Sequence, residues 1–181
     1  NAAYKALRRG IMDFERRQVY RGPEKFISLP NDPQELDDAI DEALDENPDN
    51  GDVMSAIVLE ADAKKIKAVR QNSELVEITG DGLKPAQSGL AEKAPPNIKI
   101  RRGALIRVSK TSKGTWEITQ LPEVEGAFVA LDPRDGSIKA LVGGFDFQKN
   151  KFNHVTQAWR QPGSSFKPFI YSASLEKGLT P

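Results

Sequence analysis

A chain of 181 residues carrying 26 basic and 26 acidic side chains has no formal net charge, which excludes a global electrostatic pull toward nucleic acid or an anionic membrane. It has no cysteine, so no disulfide framework holds it; an oxidising compartment managed without disulfides and a cytosolic setting both fit that composition. The apolar share of 38% supplies a core for one large domain or two small ones. No apolar run reaches the roughly 18 residues that a membrane-crossing helix needs.

The chain opens at Asn1 without a methionine and stops at Pro181 straight after a helical pattern, so both ends read as cut. Charge is segregated. Residues 5–25 carry seven Lys or Arg against three acids, and residues 26–52 carry ten acids and no base. Each stretch by itself reads as a solvated face.

Ala2 to Arg17 predicts a helix, with Ala3, Leu7, Ile11 and Phe14 at helical spacing. Tyr20-Arg21-Gly22-Pro23-Glu24 is a turn. Asp32 then caps a second helix with Pro33 at its first position; Leu36, Ile40 and Leu44 make a narrow docking edge, and Asn47-Pro48 ends it. From Gly51 the pattern changes to short strands, predicted at 53–60, 64–70 and 75–78. The segment 80–97, punctuated by Gly80, Gly82, Pro85, Gly89, Pro95 and Pro96, reads as a long loop of the functional or mobile kind. Residues 104–110 and 115–120 predict a hairpin around Thr111-Ser112-Lys113-Gly114. Five short strands with one long excursion suggest a small barrel of the oligonucleotide/oligosaccharide-binding (OB) type, with an open meander as the alternative.

Two further runs, 128–131 and 138–142, flank the turn Asp132-Pro133-Arg134-Asp135-Gly136. Both are nearly continuous in apolar residues, so this hairpin is expected to be buried on both faces. The expected division is a helical segment at 1–50, an OB-like β-domain at 51–123, and a third part at 124–181. The fold class is α+β.

The stretch with chemical content is Arg160-Gln161-Pro162-Gly163-Ser164-Ser165-Phe166-Lys167-Pro168. Ser164 and Lys167 are three apart, so a helical turn puts hydroxyl and amine on one face. A serine is a weak nucleophile until a neighbouring base takes its proton, and an amine can do so where burial or nearby cations keep it partly neutral. Pro162-Gly163 ends the preceding segment, and Ser164 is expected at the helix start, among unpaired N–H groups and at the positive end of the dipole. Pro168 then falls in the first turn, where its missing N–H matters little, and Gly178 stops the helix. A second copy of the spacing, Ser174-Leu175-Glu176-Lys177, reads as the solvated end of the same helix.

Ala130–Gly144 and Asn153–Pro168 together resemble the opening of the transpeptidase domain of class A, bifunctional penicillin-binding proteins of the Gram-negative 1a-like type. The N-terminal Tyr4-x-x-Leu7-Arg8-Arg9-Gly10 and Tyr20–Glu24 look like the linker between their glycosyltransferase and transpeptidase domains, and the strand-rich middle looks like their inserted OB-like domain. The resemblance implies a peptidoglycan synthase anchored in the bacterial inner membrane, outside this stretch, and working on the periplasmic side. It implies that Ser164 attacks the carbonyl of the penultimate D-Ala of a stem peptide, that Lys167 accepts its proton, and that the Ser164 N–H forms one arm of an oxyanion hole. β-Lactams would acylate the same serine. Implied partners are stem peptides, the lipid-linked precursor, outer-membrane lipoprotein activators and other cell-wall synthesis proteins, with no nucleic acid and no metal or organic cofactor. The family's Ser-x-Asn and Lys-Thr-Gly elements are expected beyond Pro181, so the stretch alone is expected to be inert. Lys110-Thr111-Ser112-Lys113-Gly114 imitates the latter element but precedes Ser164.

Rival readings are a β-lactamase or D,D-carboxypeptidase with the same helix, and an OB-type module binding glycan, protein or nucleic acid. The first pair begins without a linker and inserted domain. For nucleic acid, residues 51–121 offer Trp116 as their single aromatic, where stacking platforms are required. His154, the lone histidine, suits a Ser-His-Asp triad less well than Lys167 suits a Ser-Lys pair. Trp159 is expected to pack behind the active-site helix.

Overall fold

The computed structural model describes residues 1–180, and the chain divides into two compact units: Lys5–Glu125, and Asn1–Tyr4 together with the chain from Gly126 on. Helix α1 spans Ala2–Glu15 and helix α2 Pro33–Glu46, with the two-residue strand β1 (Lys25–Phe26) between them. Strands β2 (Met54–Ala61), β3 (Lys65–Arg70) and β4 (Glu74–Thr79) come next as an antiparallel meander. A 3-10 turn at Gly80–Ala86 runs into the short helix α3 (Gln87–Leu90), and β5 (Ala104–Lys110) and β6 (Trp116–Thr119) complete the sheet.

The sheet runs β1-β5-β2-β3-β4, with β6 also paired to β5. Because side chains alternate along a strand, β2 and β5 feed two cores at once. Ala56, Val58, Ala104, Ile106 and Val108 join Ile66, Val76, Ile78 and Ile118 on the concave side. Ile57 and Leu105 point the other way, onto Ile40, Ala43 and Leu44 of α2. Asp32 caps α2 as expected, accepting from Gln34 and Glu35 N–H, and its acidic outer face stays in solvent. Burying Ile40 and Leu44 contributes about 2–3 kcal/mol each, enough to hold a helix whose surface charges repel one another.

The strand-rich unit has the strands expected of a small OB-like barrel, but the barrel is not closed. Strand β4 is the edge on one side, β1 and β6 flank β5 on the other, and β4 and β6 share no ladder. The segment expected to be a long loop lies against both of them as the 3-10 turn and α3, placing Leu83, Ala86 and Leu90 in the concave core. Closing the ladder would require β4 and β6, which lie side by side, to exchange backbone hydrogen bonds; they do not, and an apolar plug buries their inner faces. The approach is close. A Cβ on Gly82 would sit 2.2 Å from the Trp116 carbonyl oxygen.

The N-terminal part of the unit from Lys5 on is braced to the sheet. The buried face of α1 is Arg8, Ile11, Met12 and Glu15, whereas Phe14, expected on that face, is 41% exposed. Ion pairs and hydrogen bonds hold the helix this way: Arg8 reaches Asp52 and Asn50, and Glu15 takes Arg21 Nη1 at 2.5 Å and Gln120 Nε2 at 2.8 Å. The turn Tyr20–Glu24 is docked at successive positions. Tyr20 is buried in the concave core, where burial, with Glu24 adding, pushes its hydroxyl pKa well up. Arg21 also bonds the Leu121 carbonyl, and Gly22 takes φ +101° beside the Ile98 backbone, where a side chain would collide. Glu24 forms a bidentate pair with buried Arg107 at 2.8 and 2.9 Å. Arg107 continues to the Pro48 carbonyl and Ser55 Oγ, and Ser55 Oγ donates to the Asn47 carbonyl, so the end of α2 belongs to the same network.

In the other unit, β7 (Phe128–Leu131) and β8 (Ile138–Val142) form an antiparallel hairpin. Its turn is locked by Asp132, which accepts from Arg134 N–H, Nε and Nη2 at 2.8–3.0 Å, while Gly136 donates to the Asp132 carbonyl at φ +72°. The Arg134 bonds hold the Asp132 carboxyl at a pKa of about 2. The hairpin is not buried as predicted: Ile138 is 61% and Leu131 56% exposed. An apolar run reports what a strand can bury, not what covers it, and this two-stranded ribbon has no second layer among the described residues.

Candidate active site

From β8 to the Ser164 turn the chain has no regular element, yet it is built from capped turns. Asp146 Oδ1 accepts from Gln148 and Lys149 N–H, Asn150 Oδ1 from Phe152 N–H, and Asn153 Oδ1 from Val155 N–H. Each is a short polar side chain bonding backbone two or three residues on, which stabilises a turn without a helix or strand. Asn153 and Gln157 close the last turn reciprocally, with Asn153 N–H on Gln157 Oε1 at 2.7 Å and Gln157 N–H on the Asn153 carbonyl at 2.8 Å.

That turn is seated on Gly143, at the end of β8. His154 bonds the Gly143 carbonyl through its backbone N–H at 2.8 Å and through Nδ1 at 2.9 Å. A Cβ on Gly143 would lie 2.4 Å from Asn153 Oδ1, so only glycine permits the seat. His154, read from the sequence only as a weak candidate for a catalytic triad, is half-buried and tied to the hairpin, with Phe152 packed edge-on at 4.9 Å. The tie spans eleven residues and leaves no periodic signature.

Gly163, at φ +56°, starts a 3-10 turn over Gly163–Phe166, and helix α4 runs on as Lys167–Glu176. Ser164 therefore lies in the 3-10 turn ahead of α4 rather than as its cap. Lys167 N–H bonds the Ser164 carbonyl, and residues three apart eclipse in this geometry, so the two side chains leave the same face. The first bond of the turn runs from Ser165 N–H to the Pro162 carbonyl, which leaves Ser164 N–H among the unpaired donors at the helix start. Pro168 falls in the first turn of α4, as expected. The helix ends in a paired C-terminal motif: Leu179 N–H reaches the Ser174 carbonyl and Gly178 N–H the Leu175 carbonyl, with Gly178 at φ +81°.

The second Ser-Lys copy differs in kind. Ser174 Oγ donates to the Ile170 carbonyl at 2.8 Å, and Lys177 sits at the helix end. Ser164 and Lys167 are both exposed, so residues 1–180 do not supply burial around the amine. Trp159 is 94% exposed and does not pack behind the helix as predicted; none of the described chain lies over it. Lys110–Gly114 forms the β5–β6 turn, closed by Thr111 N–H on the Thr115 carbonyl, in the unit that does not hold Ser164. Trp116 carries Arg70 at 5.4 Å and Lys110 at 4.6 Å from its ring centre, cations where a stacked base would need a face. Among the described residues no cluster of His, Asp or Glu converges to hold a metal ion.

Comparison with known proteins matches residues 20–124 to the penicillin-binding protein OB-like domain and residues 126–181 to the penicillin binding protein transpeptidase domain. Penicillin-binding protein 1A of Neisseria lactamica is 39% identical over 180 residues, covering 99% of this chain and 22% of that protein. The Pseudomonas aeruginosa protein of the same name is 37% identical over 186 residues with the same coverage. The crystal structure of Penicillin-Binding Protein 1A from Haemophilus influenzae superposes with a TM-score of 0.79 at 30% identity, over 98% of this chain and 25% of that one. The chain thus spans about a quarter or less of each of these three proteins. The OB-like match alone takes in more than half of its residues, and on that ground, with the Ser164 turn lying inside the transpeptidase match, the chain belongs to the penicillin-binding protein family.

Proposed function

We propose that this chain is the linker, OB-like domain and opening of the transpeptidase domain of a bifunctional peptidoglycan synthase, with Ser164 as the nucleophile. One observation carries the reading: a 3-10 turn that sets Ser164 and Lys167 on one face, with the Ser164 N–H ahead of the hydrogen-bond ladder. In the proposed reaction Ser164 Oγ attacks the carbonyl carbon of the penultimate D-Ala as Lys167 Nζ takes the hydroxyl proton. The Ser164 N–H donates to the developing oxyanion, which is where preorganised donors lower the barrier most. The amide C–N bond then breaks, terminal D-Ala leaves with a proton, and an amine from a neighbouring stem peptide resolves the ester into a cross-link. A β-lactam enters the same sequence and stops at the ester.

The complete protein is proposed to pair this activity with a glycosyltransferase acting on a lipid-linked precursor, anchored in the inner membrane and facing the periplasm. Outer-membrane lipoprotein activators are proposed partners.

The test labels the full-length protein with a fluorescent penicillin and locates the adduct by peptide mass spectrometry. An adduct on Ser164 that disappears in Ser164→Ala is the expected outcome. An adduct on another serine, or none, overturns the assignment and leaves the OB-like binding module as the better reading.

A further inference from the structure

We infer that His154 is a positioning residue for Ser164, acting by tying the Asn153–Gln157 turn to the end of β8. The inference rests on the reading of Ser164 as nucleophile. The chain between β8 and the Ser164 turn has no ladder to fix it, so its placement depends on side-chain ties. The Asn153–Gln157 turn is internally rigid, closed by bonds of 2.7, 2.8 and 3.0 Å, and it ends six residues before Gly163. A rigid turn fixes the position of the next residues only if it is itself anchored. His154 supplies the anchor. A carbonyl oxygen only accepts, so the 2.9 Å contact requires a hydrogen on Nδ1, and the Gly143 carbonyl takes a bond from the ring as well as from the His154 backbone.

The surroundings hold the ring in that pose. Phe152 stands edge-on to it with an interplanar angle of 72°, and the contact of Asn153 with Gly143 leaves no room for the turn to slide along β8. Losing the ring bond leaves the Gly143 carbonyl with the backbone bond alone, so the turn, still seated on Gly143, can rotate about that bond and the segment carrying Ser164 can shift by fractions of an ångström. Reactions that depend on a near-attack geometry are sensitive at that scale.

Three substitutions separate the donor from the bulk of the side chain. Asn carries its amide nitrogen on Cγ, as histidine carries Nδ1, so His154→Asn keeps the donor in place. His154→Gln moves it one carbon further out, and His154→Ala removes it. In the full-length protein, the second-order rate of acylation by a fluorescent penicillin is expected to fall roughly tenfold to a hundredfold in His154→Ala and His154→Gln. His154→Asn is expected to stay within about threefold of wild type. End-point labelling is expected to reach one adduct per chain in each variant, which separates slow chemistry from lost folding.

Equal rates in all four proteins, or a His154→Asn as slow as His154→Ala, would overturn the inference. If His154→Ala gives no end-point labelling because it fails to fold, the Asn and Gln variants decide by the same criterion. An adduct absent from Ser164 in the wild type would instead bring down the nucleophile reading, and that outcome is distinct from equal rates on a labelled Ser164.

Discussion

Replacing Glu24 by alanine tests how the segment leading into β1 is held to the sheet. Arg107 is 6% exposed at its side chain and Glu24 32%, and the pair makes bonds of 2.9 and 2.8 Å. Removing one partner of a buried ion pair costs about 3–5 kcal/mol because the other charge is left uncompensated. Two features lower that figure here. Arg107 retains the Pro48 carbonyl and Ser55 Oγ, and the exposed third of Glu24 means that water can reach the vacated side. The expected loss is therefore about 2–3 kcal/mol. At roughly 4 °C per kcal/mol for a unit of this size, the melting temperature falls by about 8–12 °C. Trp116, on β6 next to β5, reports the transition by fluorescence in a Trp159→Phe background. The double variant Glu24→Leu with Arg107→Met removes both charges and is expected to be more stable than the summed single losses by at least about 1 kcal/mol. A Glu24→Ala shift below about 2 °C, or strict additivity in the cycle, refutes the reasoning that this pair anchors the segment leading into β1.

Gly82→Ala is expected to destabilise the sheet unit by about 2–3 kcal/mol, since its Cβ would meet the Trp116 carbonyl at 2.2 Å and backbone must move. Gly114→Ala, at φ +78° in open space, is expected to cost only about 1 kcal/mol in the same melting experiment. Asp132 gives a pH dependence of defined sign. Its folded pKa is depressed to about 2, so its contribution is fully present above the unfolded carboxyl value of about 3.9 and is lost as pH falls through about 2. Exchange of the Gly136 amide, corrected for intrinsic rates, is expected to accelerate over that window, and Asp132→Asn to flatten the response. In the full-length protein, Lys167→Met is expected to slow penicillin acylation of Ser164 by about a hundredfold or more, while Lys177→Met leaves it unchanged. The reverse pattern would assign the base to the wrong Ser-Lys copy.

What the sequence determined by itself lies within a few residues along the chain. Asp32-Pro33 opens α2, Asp132 to Gly136 turns the hairpin, Ser164 and Lys167 share a face, and Gly178 stops α4. Each arises from side chains bonding backbone two to four residues away or from a φ that glycine alone takes without strain. The family match was legible for the same reason, because its motifs are runs of such local solutions. Tertiary structure decided the rest. Glu24 meets Arg107 across 83 residues, His154 meets Gly143 across 11, and Leu83, Ala86 and Leu90 fill the space that a closed barrel would have sealed. Strand β1 is two residues long and has no period to detect. The exposed faces of β7 and β8 show the same limit from the other side: their apolar content is a property of the chain, whereas a covering layer is a property of the fold. Local preference fixes how each short segment turns, and only the closing of the chain on itself fixes which of those segments touch.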